Sequence, residues 1–218
     1  MKQAVKALLL DLDGTLVDTA PDMVAALNRQ LAHHQRDAVP YETGRAFVSH
    51  GVTALLKLGF NIEPDDSSYE DLRSEYLAEY ANKIADKSQL FDGMHEVLEY
   101  CEGNNLGWGI VTNKPEELTH ALLRNLNLHK RSAVTIGGDT LPLTKPHPMP
   151  LLHSCMLLKI APSECLYVGD AARDIESGKR AGTRTATAEW GYIAPDENPA
   201  DWQATYRANS PKDLLDLI

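Results

Sequence analysis

Apolar residues follow two rhythms along this chain. Short apolar runs at 5–10, 106–111, 133–136, 165–168 and 185–188 are separated by stretches with helical spacing at 94–102, 116–126, 149–159 and 175–181. The first four runs end in DGT, TNK, GGD and GD turns. Runs this short suit strands buried on both faces of a sheet. Strands alternating with helices predict a parallel sheet with crossover helices, a doubly wound, Rossmann-like α/β core. The second rhythm fills 18–88, where no strand-like run occurs. Pro21 suits a first helical turn, and Met23, Ala26, Leu27, Gln30 and Leu31 then share one face. Further helices are predicted at 53–58 and at 69–84, the second with Leu72, Tyr76, Tyr80 and Ile84 at four-residue intervals. The intervening NIEPDDSS reads as a loop. The expected organisation is a catalytic core from 1–17 and 89–218, with a helical insertion at 18–88.

The chain has 218 residues, of which 43% are hydrophobic and 24% charged, enough for a sizeable core. Its formal net charge of -10 argues against a nucleic-acid surface, which needs a basic patch. It also raises the question of how an acidic protein would hold an anion. Cys101, Cys155 and Cys165 show no CxxC spacing, and free thiols are expected. The N-terminal apolar run is cut by Asp11, too short for a signal segment or a membrane span. A cytoplasmic protein without a membrane partner is expected, and the oligomeric state is not readable.

Chemistry enters where polar residues fall. Asp11 and Asp13 follow the first strand, Thr112 and Asn113 the second, and Asp170 and Asp174 a later one. In a parallel sheet those strand ends share one rim, where ligands bind. Lys145, in the TKPHP loop, can reach the same rim. Gly14 permits a sharp turn and close backbone approach to a ligand. Four carboxylates in one pocket repel one another, and a hard divalent cation resolves the conflict; oxygen ligands suit Mg²⁺. The cation also bridges an anionic substrate to an acidic site. A carboxylate nucleophile beside Mg²⁺ fits phosphoryl transfer, with a second carboxylate as acid and base. Thr112 and Asn113 would donate to phosphate oxygens, and Lys145 would supply fixed positive charge.

DLDGTLVD, VTN, KP and GDAARD, in this order, resemble the four motifs of the haloacid-dehalogenase-like phosphatases. The resemblance spans nearly the whole chain. It implies Asp11 as nucleophile, Asp13 as general acid and base, Thr112 as phosphate ligand and Lys145 as charge stabiliser. It implies Mg²⁺ held by Asp11, the Asp13 carbonyl and Asp170, with Asp174 direct or through water. The insertion corresponds to a helical cap that closes over a small phosphorylated metabolite. The chain is similar to phosphoglycolate phosphatases. FDGM, WGIVTNKP, RSAV, DIESGKRAGTRTA and GYIAPDENPADW look closer to the N-acetylmuramic acid 6-phosphate phosphatases of bacterial cell-wall recycling. In the cap, Arg45 of GRAFVSHG is a candidate partner for a substrate carboxylate, which both substrates carry.

Taken singly, these residues have plainer readings. Asp11 and Asp13 suit a turn, Asp170 and Asp174 a helix cap, and Lys145 a solvated surface. Arg45 stands evenly between substrate contact and surface charge, and His50 and His147 read as surface residues. Trp190 and Tyr192 are placed at the rim of the site. A phosphomutase of the same superfamily shares the four motifs and differs in the acceptor of the phosphoryl group. A dehalogenase would not need Asp13, and a phosphonatase would need a cap lysine, for which Lys57 is a candidate that no motif supports. A non-catalytic binding protein should have lost one of the catalytic groups, and none is missing.

Overall fold

The structure, a computed structural model, describes residues 4–218. β1 (Ala7–Leu10) is buried at every position because it lies in mid-sheet, with parallel neighbours on both sides. β2 (Val17–Asp18) and β3 (Gln89–Leu90) form a separate antiparallel ribbon. β4 (Gly107–Val111), β5 (Val134–Ile136), β6 (Cys165–Gly169), β7 (Arg184–Ala188) and β8 (Tyr206–Ala208) complete a six-stranded, all-parallel sheet in the order β5-β4-β1-β6-β7-β8. The predicted α/β core is therefore present. Alternation along β1 divides its core: Leu8 and Leu10 pack with Trp108, Ile110, Leu166 and Val168, whereas Leu9 packs with Tyr167, Leu151 and Cys155 on the other face.

Four helices lie in sequence after β3: α5 (Met94–Gly103), α6 (Glu116–Asn125), α7 (Met149–Leu158) and α8 (Ala172–Ala181). Four precede it: α1 (Ala20–His33), α2 (Tyr41–Arg45), α3 (Gly51–Phe60) and α4 (Tyr69–Asn82), and α1 packs against each of the other three. This helical layer leaves and rejoins the sheet through the β2–β3 ribbon. Asp22 staples the junction, accepting from the Lys87 and Ser88 backbone N–H groups and from Ser88 Oγ at 2.6–3.0 Å. Strand order reverses at β1, whose neighbours β4 and β6 start the two halves of the sheet. A crevice at the carboxyl end of β1 follows from that topology. Among the described residues, no helix is long and apolar enough to cross a membrane.

Candidate active site

Asp11, Asp170 and Asp174 converge at the carboxyl ends of β1 and β6, with one carboxylate oxygen of each within 4.8 Å of the others. All three are buried. Asp174 lies in the first turn of α8 and helps cap it, accepting from the Ala171 N–H at 3.1 Å. Asp170 is held by one oxygen only: Oδ2 accepts from Ser49 Oγ at 2.5 Å and from the Tyr192 N–H at 2.8 Å. Its Oδ1 is buried with no hydrogen-bond partner among the described residues. Gly14, at φ +80, and Gly191 flank this carboxylate; a Cβ on Gly14 would lie 2.0 Å from Asp170 Oδ2, and one on Gly191 2.2 Å from Asp170 Cβ.

Lys145 answers part of this charge. Its Nζ lies 2.8 Å from Asp11 Oδ1 and 2.7 Å from Asp174 Oδ1, and donates to Val111 O and Tyr167 Oη at 3.0 and 2.9 Å. One ammonium does not balance three buried carboxylates. Burial, and then Asp174, push Asp11 up to about 6 against the pull of Lys145 and Arg173. Burial, then Asp11 and Asp174, push Asp170 up to about 7, while the bonds from Ser49 and Tyr192 pull it down. An orphaned buried carboxylate oxygen, hard oxygen donors and uncompensated negative charge fit a divalent cation such as Mg²⁺.

Asp13 is half-buried and its side chain turns from this cluster. It accepts from Lys114 Nζ at 2.8 Å and Thr19 Oγ1 at 2.6 Å. Lys114, buried, also lies 4.5 Å over the Tyr80 ring of α4. A cavity of about 280 Å³ opens here. The sheet rim contributes Asp11, Asp13, Thr112, Lys114 and Arg173, and the helical layer contributes Ser49, His50, Arg73, Tyr76, Leu77 and Tyr80. Arg173 ties the two sides together by donating to the Ser49 carbonyl.

Several expected site residues stand elsewhere. Asn113 borders the cavity, but its carboxamide is spent on Lys145: Nδ2 donates to Lys145 O at 2.9 Å and Oδ1 accepts from Lys145 N at 3.1 Å. These two bonds shape the lysine loop. Gly14 makes room for Asp170 and does not border the cavity. Arg45 also lies outside the cavity wall. It sits 4.8 Å over the Tyr192 ring and donates to the carbonyls of Trp190 and Gly191 at 3.4 Å. Tyr192 belongs to the core, not the rim; its hydroxyl donates to Asp18 at 2.6 Å and accepts from the Ala20 N–H at 2.9 Å. Lys57 is paired with Glu63 and exposed. His50 is exposed, in line with the surface reading, and also borders the cavity, while His147 Nδ1 accepts from the Met149 N–H.

Sequence reasoning missed Lys114, Arg173, Ser49 and Arg73. The first two carried a signal, as cations inside TNK and GDAARD. Ser49 carried none, because its contact with Asp170 spans the two layers.

The family profile described as haloacid dehalogenase-like hydrolase matches residues 8–188. The chain belongs to this family. Its relatives include an N-acetylmuramic acid 6-phosphate phosphatase of Pseudomonas putida, 42% identical over 98% of this chain and 96% of the relative. A phosphoglycolate phosphatase of Xanthomonas campestris pv. campestris is 41% identical over 96% of this chain and 94% of the relative. Among solved structures, a predicted phosphoglycolate phosphatase from Haemophilus somnus superposes with a TM-score of 0.87 at 23% identity, covering 98% of this chain and 97% of that one. This last likeness speaks for the fold alone.

Proposed function

We propose that this hydrolase is a Mg²⁺-dependent phosphatase that cleaves a small phosphomonoester through an aspartyl-phosphate on Asp11. The class, a phosphoric monoester hydrolase, rests on the family and on the full-length relatives named as phosphatases. The observation that carries the mechanism is the buried Asp11 carboxylate, 2.8 Å from Lys145 Nζ and clustered with Asp170 and Asp174.

Asp11, Asp170 and Asp174 would hold the cation, with the Asp13 carbonyl as a further oxygen. When bound, it supplies positive charge to the phosphoryl oxygens and to the crowded carboxylates. Lys145 holds Asp11 in place and neutralises charge on the transferring group. Thr112, at the end of β4, donates its hydroxyl to a phosphate oxygen. Asp11 attacks phosphorus, and Asp13 protonates the departing oxygen, then takes a proton from the water that hydrolyses the acyl phosphate. In the resting site Asp13 is parked on Lys114 and Thr19, so it must rotate to act. The helical layer acts as the cap, and its walls exclude bulk water.

The candidate substrates are N-acetylmuramic acid 6-phosphate, as in cell-wall recycling, and 2-phosphoglycolate. The apolar cavity residues Tyr76, Leu77 and Leu118 favour the larger one, whose methyl groups can cover them. Phosphate release from both esters, with Mg²⁺ or with chelator, tests the reading. Mg²⁺-dependent release that vanishes in Asp11→Asn supports it. Release by a non-deamidated Asp11→Asn sample at the wild-type rate sinks it, as does isomerised sugar phosphate without free phosphate.

A further inference from the structure

Arg73, Tyr76, Leu77 and Tyr80 lie at positions i, i+3, i+4 and i+7 of α4, and all four border the cavity. One guanidinium is thus set into an otherwise aromatic and aliphatic wall. The other cations bordering the cavity have work at the sheet rim. Lys114 is paired with Asp13, and Arg173 faces Asp174, Asp11 and Asp170 while donating to Ser49 O. Among the described residues Arg73 has only Glu70, one turn back on its own helix at 4.0 Å, with a side chain 78% exposed. A contact that long and that wet is worth little to either partner. On the same face, the Tyr80 hydroxyl is buried with no hydrogen-bond partner.

We propose that Arg73 recognises the leaving group by pairing with a carboxylate on it, so the substrate class is the phosphomonoester of an organic acid. This rests on the phosphatase reading above. The guanidinium offers a planar, cationic fork that matches a carboxylate. Val52, Leu77 and Leu118, which border the same cavity, offer nothing polar, so apolar substituents of the same acid would rest there. In a chain of net charge -10, an uncommitted arginine also selects for the acid over its neutral analogue. The role expected of Arg45 belongs to a different helix of the same layer.

The test compares N-acetylmuramic acid 6-phosphate with N-acetylglucosamine 6-phosphate, the same sugar without the lactyl acid. In parallel, 2-phosphoglycolate is compared with ethyl phosphate. Arg73→Met keeps the aliphatic stem and should lower kcat/KM on the acid ester by about 30- to 300-fold, mostly through KM. On the neutral ester it should change kcat/KM by less than about threefold. Arg73→Lys should recover part of the loss, since it returns charge without the fork. An equal loss on acid and neutral esters, or no loss on the acid, overturns the proposal. Absence of Mg²⁺-dependent release by the wild-type protein would instead overturn the phosphatase reading, before any variant is compared.

Discussion

Ser49 Oγ, from the turn before α3, donates to Asp170 Oδ2 at 2.5 Å, so a hydroxyl of the helical layer touches a carboxylate of the sheet rim. The bond favours the charged form of Asp170 and occupies Oδ2, while Oδ1 makes no hydrogen bond among the described residues. Ser49→Ala should weaken Mg²⁺ binding by about ten- to thirtyfold near neutral pH, the worth of one hydrogen bond to a charged group. Calorimetric titration of wild type and variant checks this. An unchanged affinity would mean that the Tyr192 N–H alone suffices.

Mg²⁺ affinity should depend on pH in a stated direction. The folded values of Asp11 and Asp170, about 6 and about 7, stand above the usual 3.8. A cation must displace those protons. Affinity is therefore full above pH 7, falls about tenfold per unit from 7 to 6, and falls more steeply below 6. The same shifts set the stability of the metal-free protein. A carboxyl raised in the folded state favours folding below the unfolded value, and that contribution is lost as pH rises through about 7. Mg²⁺ should accordingly raise Tm more at pH 8 than at pH 5.5, as thermal melts with and without metal would show.

Lys145 is completely buried and makes four close polar contacts. Lys145→Met would leave the aspartate cluster without its bonded ammonium. The expected cost is about 3–5 kcal/mol at pH 8, the range for breaking a buried ion pair. At pH 5 the cost should shrink, because Asp11 and Asp170 are then protonated. Urea melts at the two pH values read the difference.

Gly14→Ala combines a positive φ with a Cβ placed 2.0 Å from Asp170 Oδ2. Backbone strain alone should cost about 1–3 kcal/mol, and displacement of Asp170 should abolish the Mg²⁺-dependent rise in Tm. Gly103→Ala, at the end of α5 with nothing within 4 Å of its Cβ, is the control and should be neutral or mildly stabilising.

The strands that build the rim were legible because burial on both faces leaves continuous apolar runs, as in Leu8, Leu9 and Leu10. β8 was not. Its three residues, Tyr206, Arg207 and Ala208, include an arginine, and pairing to β7 supplies what the pattern lacks. The 175–181 helix begins earlier, at Ala172, because Asp174 caps it with its own side chain. Helix 69–84 ends at Asn82. Its predicted stripe holds for Tyr76, Tyr80 and Ile84, all buried, while Leu72 is only partly so. The aspartates and Lys145 were legible because strand ends and motif spacing locate them. Arg45 and Arg73 could not be told apart, because orientation toward a cavity depends on how α2 and α4 pack on α1.

Tyr192 is fastened at three points: its N–H to Asp170, its hydroxyl to Asp18 in the β2–β3 ribbon, and its ring under Arg45 of the helical layer. One side chain thus joins the sheet rim, the ribbon and the helical layer. In a rigid swing of the helical layer about this point, displacement grows with distance from the pivot. Residues next to Tyr192 would travel least and those farthest along the lever arm most. In the phosphatase proposed above, such a swing would leave Asp170, bonded to the Tyr192 N–H, nearly in place.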